Sequence, residues 1–192
     1  NQCTDATPDI LSRLAQEFGA KLRVFHYADP VFPPGSDGHK STPANAPRSL
    51  VNYYNCALAL TRYSHATKLD DDHIAIPAAL AKATDAIRAG QIPADSMACF
   101  SGFNLARPSA SEIAIPLVDP VSGNGDIGFF RVSEDTIFEH DPRFERFTGR
   151  HLKRGFHGFL YWHLKYLKPE YGFANYDLAN NPHSRYVRKQ AA

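Results

Sequence analysis

Helix-type and strand-type segments alternate along the first ninety residues of the chain. Apolar residues recur at helical spacing in three segments: 8–18, 48–61 and 77–89. Short apolar runs that predict strands lie between them: 21–27 and 65–69. Gly19 and Gly90 follow two of the helical segments, where a glycine is the usual C-terminal cap. This alternation predicts an α/β fold built on a layered sheet.

Strand patterns dominate beyond residue 90. The predicted strands are 97–106, 112–118 and 127–132, with a glycine-rich turn over 122–128. Segment 156–167 predicts a helix with a crowded aromatic face, and the tail from Lys168 is expected to wrap the surface. Five prolines make 28–47 a long loop, and such loops in compact domains are usually functional or disordered.

Composition limits the class of protein. A chain of 192 residues that is 43% hydrophobic fits one domain over 1–192, and a net charge of +1 argues against a nucleic-acid partner. The three cysteines show no disulfide or zinc spacing. No apolar run approaches about 18 residues, and the start resembles no signal peptide. We therefore expect a reduced, cytoplasmic protein.

Three consecutive carboxylates, Asp70, Asp71 and Asp72, follow the predicted strand 65–69. Neighbouring carboxylates repel one another unless a cation or a set of donors neutralises them. Oxygen ligands suit Mg²⁺ or Mn²⁺, which complete their shells with substrate phosphates, so the cluster indicates a metal–diphosphate site. The alternative is a solvated acidic turn or a helix N-terminus.

Three motifs in the first half of the chain resemble those of one enzyme family. They are "NQCTDAT" at 1–7, "SLVNYYNCAL" at 49–58 and "KLDDDHIAIP" at 68–77. Their order and spacing resemble the GT-A fold of nucleotide-sugar glycosyltransferases, closest to the family 2 type. The resemblance implies a Rossmann-like mixed sheet flanked by helices, with a donor- and metal-binding part over 1–90 and an acceptor-side part over 91–192. The first two strands of that fold have no counterpart, so we expect them to lie before Asn1.

The resemblance also implies roles for particular residues. Asp72 would be the direct ligand of Mn²⁺ or Mg²⁺, Asp70 would contact the metal or the ribose, and Asp71 the sugar. A late histidine would complete the metal shell, for which His163 is preferred to His157. The motif matches place Asp5 and Asn55 at the donor, and Lys165 would neutralise phosphate as a point charge. The competing interpretation is an aromatic helix with an ordinary, partly buried His163 and surface lysines.

An inverting transfer needs a carboxylate base within reach of the acceptor hydroxyl. Asp126 lies in the predicted glycine-rich turn, and three other carboxylates compete with it: Glu134, Asp135 and Glu145. Phe144 and Phe147 flank Glu145, so we expect burial to raise its pKa. The alternative interpretation of each of these residues is a surface carboxylate.

The sequence thus predicts a metal-dependent inverting glycosyltransferase. Its partners would be a nucleotide-sugar donor and a glycan or glycolipid acceptor, with peripheral association at the inner face of the membrane, and its oligomeric state stays open. Two alternatives are a metal-dependent phosphohydrolase and a non-catalytic module that binds a saccharide or a partner protein.

Overall fold

A computed structural model describes residues 3–142, 145–148 and 152–167, with the side chains of 124–127 and 165 outside the description. The helices are α1 (Thr7–Phe18), α2 (Asp37–Ser41), α3 (Leu50–Ala59) and α4 (Pro77–Arg88), with 3₁₀ turns at Gly19–Lys21 and Lys165–Leu167. The strands are β1 (His65–Thr67), β2 (His73–Ala75), β3 (Ser96–Asn104), β4 (Ala106–Ser109), β5 (Glu112–Ala114), β6 (Val121–Arg131), β7 (Ile137–His140), β8 (Glu145–Thr148) and β9 (Lys153–His163).

Five strands form a mixed sheet in the order β1-β6-β3-β9-β2. Only the β3–β9 pair in this sheet is parallel, and each other neighbouring pair is antiparallel. Two small hairpins, β4–β5 and β7–β8, complete the strands of the described chain. A mixed sheet with helices confirms the predicted α/β class.

The core lies on both faces of β3, which is buried along nearly its whole length. On one face Phe100 packs with Leu160 and Tyr161 of β9 and with α4. On the other face Met97 and Cys99 pack with residues that include Leu58 of α3 and Phe147 of β8. Alternate residues of one strand therefore hold a helix on each side of the sheet.

Local sequence signals set the helix ends. The Ser49 hydroxyl accepts a hydrogen bond from the Asn52 amide at 3.5 Å and caps α3, and Ser36 caps α2 in the same way at 3.1 Å from the His39 amide. Pro77 begins α4, where its missing N–H costs nothing. α2 lies inside 28–47, so this predicted loop is partly helical.

Three predictions of secondary structure are wrong. Segment 156–167 is strand β9 and a 3₁₀ turn rather than a helix, because its aromatic residues pair with β3 on one side and β2 on the other. Segment 122–128 lies inside β6 rather than in a turn. Segment 21–27 forms no strand: Lys21 ends a 3₁₀ turn, and no strand of the described chain pairs with 22–27.

α1 carries no buried residue, so its apolar face is not covered by the described part of the chain. None of the helices that the structure describes is long and apolar enough to cross a membrane.

Candidate metal centre

The antiparallel pairing of β2 with β9 brings Asp72 and His163 together. His73 lies opposite His163 in the ladder, and the Leu164 amide donates to the Asp72 carbonyl at 2.8 Å. His163 Nε2 lies 3.3 Å from Asp72 Oδ2, and His73 Nε2 lies 3.8 Å from Asp72 Oδ1. The ligand-capable atoms of these three residues lie within 4.8 Å of one another.

Polar side chains from two other strands surround His163. Its Nδ1 lies 2.8 Å from Asn104 Oδ1, at the end of β3, and 2.7 Å from Ser122 Oγ on β6. Both of these residues are buried. The ring of His163 is therefore held on its Nδ1 side, and its Nε2 faces the Asp72 carboxylate.

His73 sits against the fully buried Tyr161, with ring centroids 4.2 Å apart. Its Nδ1 accepts a hydrogen bond from the Asp70 amide at 3.3 Å. Burial lowers the pKa of His73, and the neighbouring His163 lowers it further. Burial therefore disfavours the charged form of His73.

A carboxylate and imidazole nitrogens are donors that suit Mn²⁺, which accepts both oxygen and nitrogen ligands. Asp72 is buried, so its negative charge gains from a cation that replaces lost water. Two or three protein ligands leave three or four positions of a six-coordinate ion open. The donor set could hold a divalent cation.

Asp70 pairs with a lysine rather than with the two histidines that lie near Asp72. Its Oδ1 is 2.8 Å from Lys68 Nζ, which in turn is 3.6 Å from Glu145 Oε1 and lies over the Tyr54 ring. Burial raises the pKa of Glu145, while the Lys68 charge acts in the opposite direction. Lys68 thus joins the acidic turn, through Asp70, to one of the predicted catalytic bases.

The other predicted donor residues are spread over the fold. Asp5 accepts a hydrogen bond from the Thr7 amide at 3.0 Å at the start of α1. Hydrogen bonds from the Thr7 side chain and amide lower the pKa of the Asp5 carboxyl. Asn55 holds the Phe138 backbone with both amide atoms, at 2.8 and 3.0 Å. Asp71 is exposed in the acidic turn. Asp5 therefore has a local contact, and Asn55 has a structural contact that joins α3 to β7.

The remaining predicted residues do not join the cluster in the described chain. His157 is exposed on β9, outside the group of three ligand-capable residues. Glu134 and Asp135 are exposed between β6 and β7. Asp126 belongs to β6 rather than to a loop end, and its side chain lies outside the described residues, as does that of Lys165.

Sequence reasoning missed the roles of His73, Asn104 and Ser122. His73 directly follows the acidic cluster, which was a usable signal. Asn104 ends a strand whose other residues are apolar or small, and a polar side chain at the end of such a strand often belongs to a functional site. Nothing in the local sequence marks Ser122, since its contact with His163 depends on strand order.

No relative was identified. No protein-family model, curated protein or solved structure matches this chain.

Proposed function

We propose that this protein is a metal-dependent inverting glycosyltransferase that moves a sugar from a nucleotide-diphosphate donor to a glycan or glycolipid. The observation that carries the proposal is the meeting of Asp72 and His163 at the end of the β2–β9 pair. These are the carboxylate and the late histidine that the resemblance assigns to the metal. The motif order in the first 77 residues supports the same activity.

Asp72 would supply a carboxylate oxygen and His163 its Nε2 atom to Mn²⁺ or Mg²⁺. When bound, such an ion stabilises the negative charge that develops on a leaving diphosphate. Asp72 and His163 would place the ion, and with it the donor diphosphate, at the sheet edge where β2 begins and β9 ends.

Glu145 is the base that the contacts favour. Of the candidate bases whose side chains are described, it is the one joined to the acidic turn, through Lys68 and Asp70. Burial raises the pKa of Glu145 and makes its carboxylate a stronger proton acceptor. Glu145 would take the proton of the acceptor hydroxyl while the sugar bond to the diphosphate breaks. Action would take place in the cytoplasm, at the inner face of the membrane.

The test compares nucleoside diphosphate release from a panel of nucleotide sugars, with Mn²⁺ and with a chelator. Asp72→Asn should lower the Mn²⁺ affinity measured by calorimetry at least tenfold and abolish transfer, because it removes the charged ligand. Asp85→Asn is the matched control, since Asp85 is exposed on α4 and pairs only locally with Arg88.

Three results would contradict the proposal in different ways. Unchanged transfer by Asp72→Asn would remove the metal site from the mechanism. Hydrolysis of phosphate esters with no dependence on a sugar acceptor would favour a phosphohydrolase. Failure of every nucleotide sugar to bind in the presence of Mn²⁺ would favour a non-catalytic module.

A further inference from the structure

We propose that Asn104 is a positioning residue that fixes the metal-binding tautomer of His163, and that His73 supports Asp72 without binding the cation. This inference rests on the metal site of the proposed function. It reduces the protein ligands from the three neighbouring candidates to two, Asp72 and His163.

The amide of Asn104 has one allowed orientation. Its Nδ2 donates to the Asp119 carbonyl at 2.8 Å, and the residue is only 3% exposed. The Asn104 backbone amide donates to the Pro120 carbonyl at 2.9 Å, so the segment that receives Nδ2 is itself bound to β3. Tyr166 adds a hydrogen bond to Asp119 Oδ2 at 2.9 Å. Because Nδ2 must face the Asp119 carbonyl, Oδ1 must face His163.

An amide oxygen only accepts hydrogen bonds, so the proton between Asn104 Oδ1 and His163 belongs to Nδ1 of the histidine. A neutral imidazole with hydrogen on Nδ1 keeps its lone pair on Nε2. That atom faces Asp72 Oδ2 at 3.3 Å. Ser122 Oγ lies on the same Nδ1 side at 2.7 Å and accepts a share of the same N–H. In the neutral ring Asn104 thus leaves the Nε2 lone pair on the Asp72 side, where a cation lying between the two would take it.

His73 has the opposite arrangement. The Asp70 amide donates to its Nδ1, which occupies the lone pair on that side of the ring. In the neutral ring the hydrogen is then on Nε2, and this atom lies 3.8 Å from Asp72 Oδ1. A nitrogen that carries hydrogen cannot bind a metal ion. His73 therefore acts as a donor towards the carboxylate, leaving Oδ2 and His163 to hold the ion.

The first measurement is a long-range ¹H–¹⁵N correlation spectrum of the histidines in the metal-free, full-length chain. We expect the Nδ1–H form for His163 and the Nε2–H form for His73, with His73→Gln and His163→Gln used to assign the signals. Finding His163 in its Nε2–H form would overturn the inference. This spectrum needs no metal, donor or activity.

The second measurement is the Mn²⁺ affinity of two Asn104 variants. Asn104→Asp and Asn104→Leu both lose the bond to Asp119, but only the aspartate keeps an acceptor for His163 Nδ1–H. We expect Asn104→Leu to bind Mn²⁺ roughly 10–100-fold more weakly and to show a changed His163 tautomer, while Asn104→Asp binds within about threefold of the parent. Thr136→Val, which removes a buried hydroxyl bonded to the Arg131 carbonyl, is the control for general loss of packing.

The third measurement separates the two histidines. His163→Gln should weaken Mn²⁺ binding at least tenfold, whereas His73→Gln, which keeps an N–H group, should change it by less than about threefold. Equal losses in the two variants, or equal affinities in the two Asn104 variants, would overturn the inference. If Mn²⁺ binds as expected and no nucleotide sugar is turned over, the proposed function fails and the inference stands.

Discussion

Replacing Lys68 by Met should expose how strongly the acidic turn depends on one buried cation. The side chains of Lys68 and Glu145 are only 26% and 15% exposed, with 3.6 Å between Nζ and Oε1. Methionine keeps the apolar stem of the lysine and removes its charge. Glu145 would then be a buried carboxylate without its cation, which is a costly state.

The cost has an upper limit, because Glu145 can take up a proton instead of remaining charged. Protonating a carboxyl of ordinary pKa 4.5 at pH 7 costs about 3.4 kcal/mol, at about 1.4 kcal/mol for each pH unit. Asp70 is 42% exposed, so loss of its pair adds at most about 1 kcal/mol. Since the native carboxyl already bears part of the burial cost, we expect a loss of about 2–3 kcal/mol at pH 7.

The sign of the pH dependence follows from the raised pKa of Glu145. A carboxyl whose pKa is higher in the folded protein stabilises the fold at low pH, and that stability is lost as the pH rises. Removing Lys68 raises this pKa further, so the loss should shrink to about 1 kcal/mol at pH 5, where proton uptake is nearly free. The same change should move the pH optimum of transfer upward, because the base stays protonated longer.

The assay is urea unfolding of the parent and Lys68→Met at pH 5 and pH 7. The double variant Lys68→Met, Glu145→Gln should recover most of the loss at pH 7, because no buried charge remains. Lys153→Met is the matched control, since its pair with Asp95 at 2.8 Å is exposed, and we expect no comparable pH-dependent loss. A loss that is equal at both pH values, or one that Glu145→Gln does not reduce, would refute the reasoning.

Three further substitutions, one of them a control, test the framework around the site. Gly102→Ala places a methyl group into the Tyr161 ring and 2.7 Å from the Tyr161 carbonyl, so thermal unfolding should show a loss of about 1–3 kcal/mol. In the control Gly155→Ala, the new methyl group meets only the tip of an exposed histidine side chain at 3.3 Å, so the free energy of unfolding should change by no more than about 0.5 kcal/mol. Equal losses of stability in the two glycine variants would contradict the steric argument. Asn55→Ala should cost about 1–3 kcal/mol in urea unfolding, since it leaves the buried backbone N–H and C=O of Phe138 without their partners, and an unchanged midpoint would show that this anchor is unimportant.

The sequence was sufficient to predict the α/β class, because the spacing of apolar residues in α1, α3 and α4 is a local property. It was not sufficient for β9. Phe159, Trp162 and His163 are spaced as on a helix, and the pairing with β3 and β2 that makes them a strand is distant in sequence. Tertiary contacts of this kind override local preference in strands more readily than in helices.

The candidate site, like the fold, could be predicted only in part from the sequence. Asp72 and His163 were predicted as ligands by resemblance, and the strand ladder provides the contact between them. The contribution of Asn104 depends on which residues end β3 and β9 together, which only the parallel register reveals. The prediction of Asp70 as a ligand did not take account of Lys68, a close neighbour in sequence whose ammonium group pairs with the Asp70 carboxylate. The GT-A topology and the activity remain predictions.

The parallel pairing of β3 with β9 also has a consequence for the order in which the protein is made. β1, β6 and β3 are synthesised before β9 and can pair with one another first. Within the described sheet, β2 pairs only with β9. β9 begins nearly fifty residues after the end of β3, so β2 cannot pair until that further length of chain has been synthesised. During that interval the edge of β3 that will pair with β9 has no partner strand, and a chaperone or a neighbouring chain can bind there. Asp72 and His163 meet only when β9 has paired with β2, so a cation site at this pair would form late in synthesis.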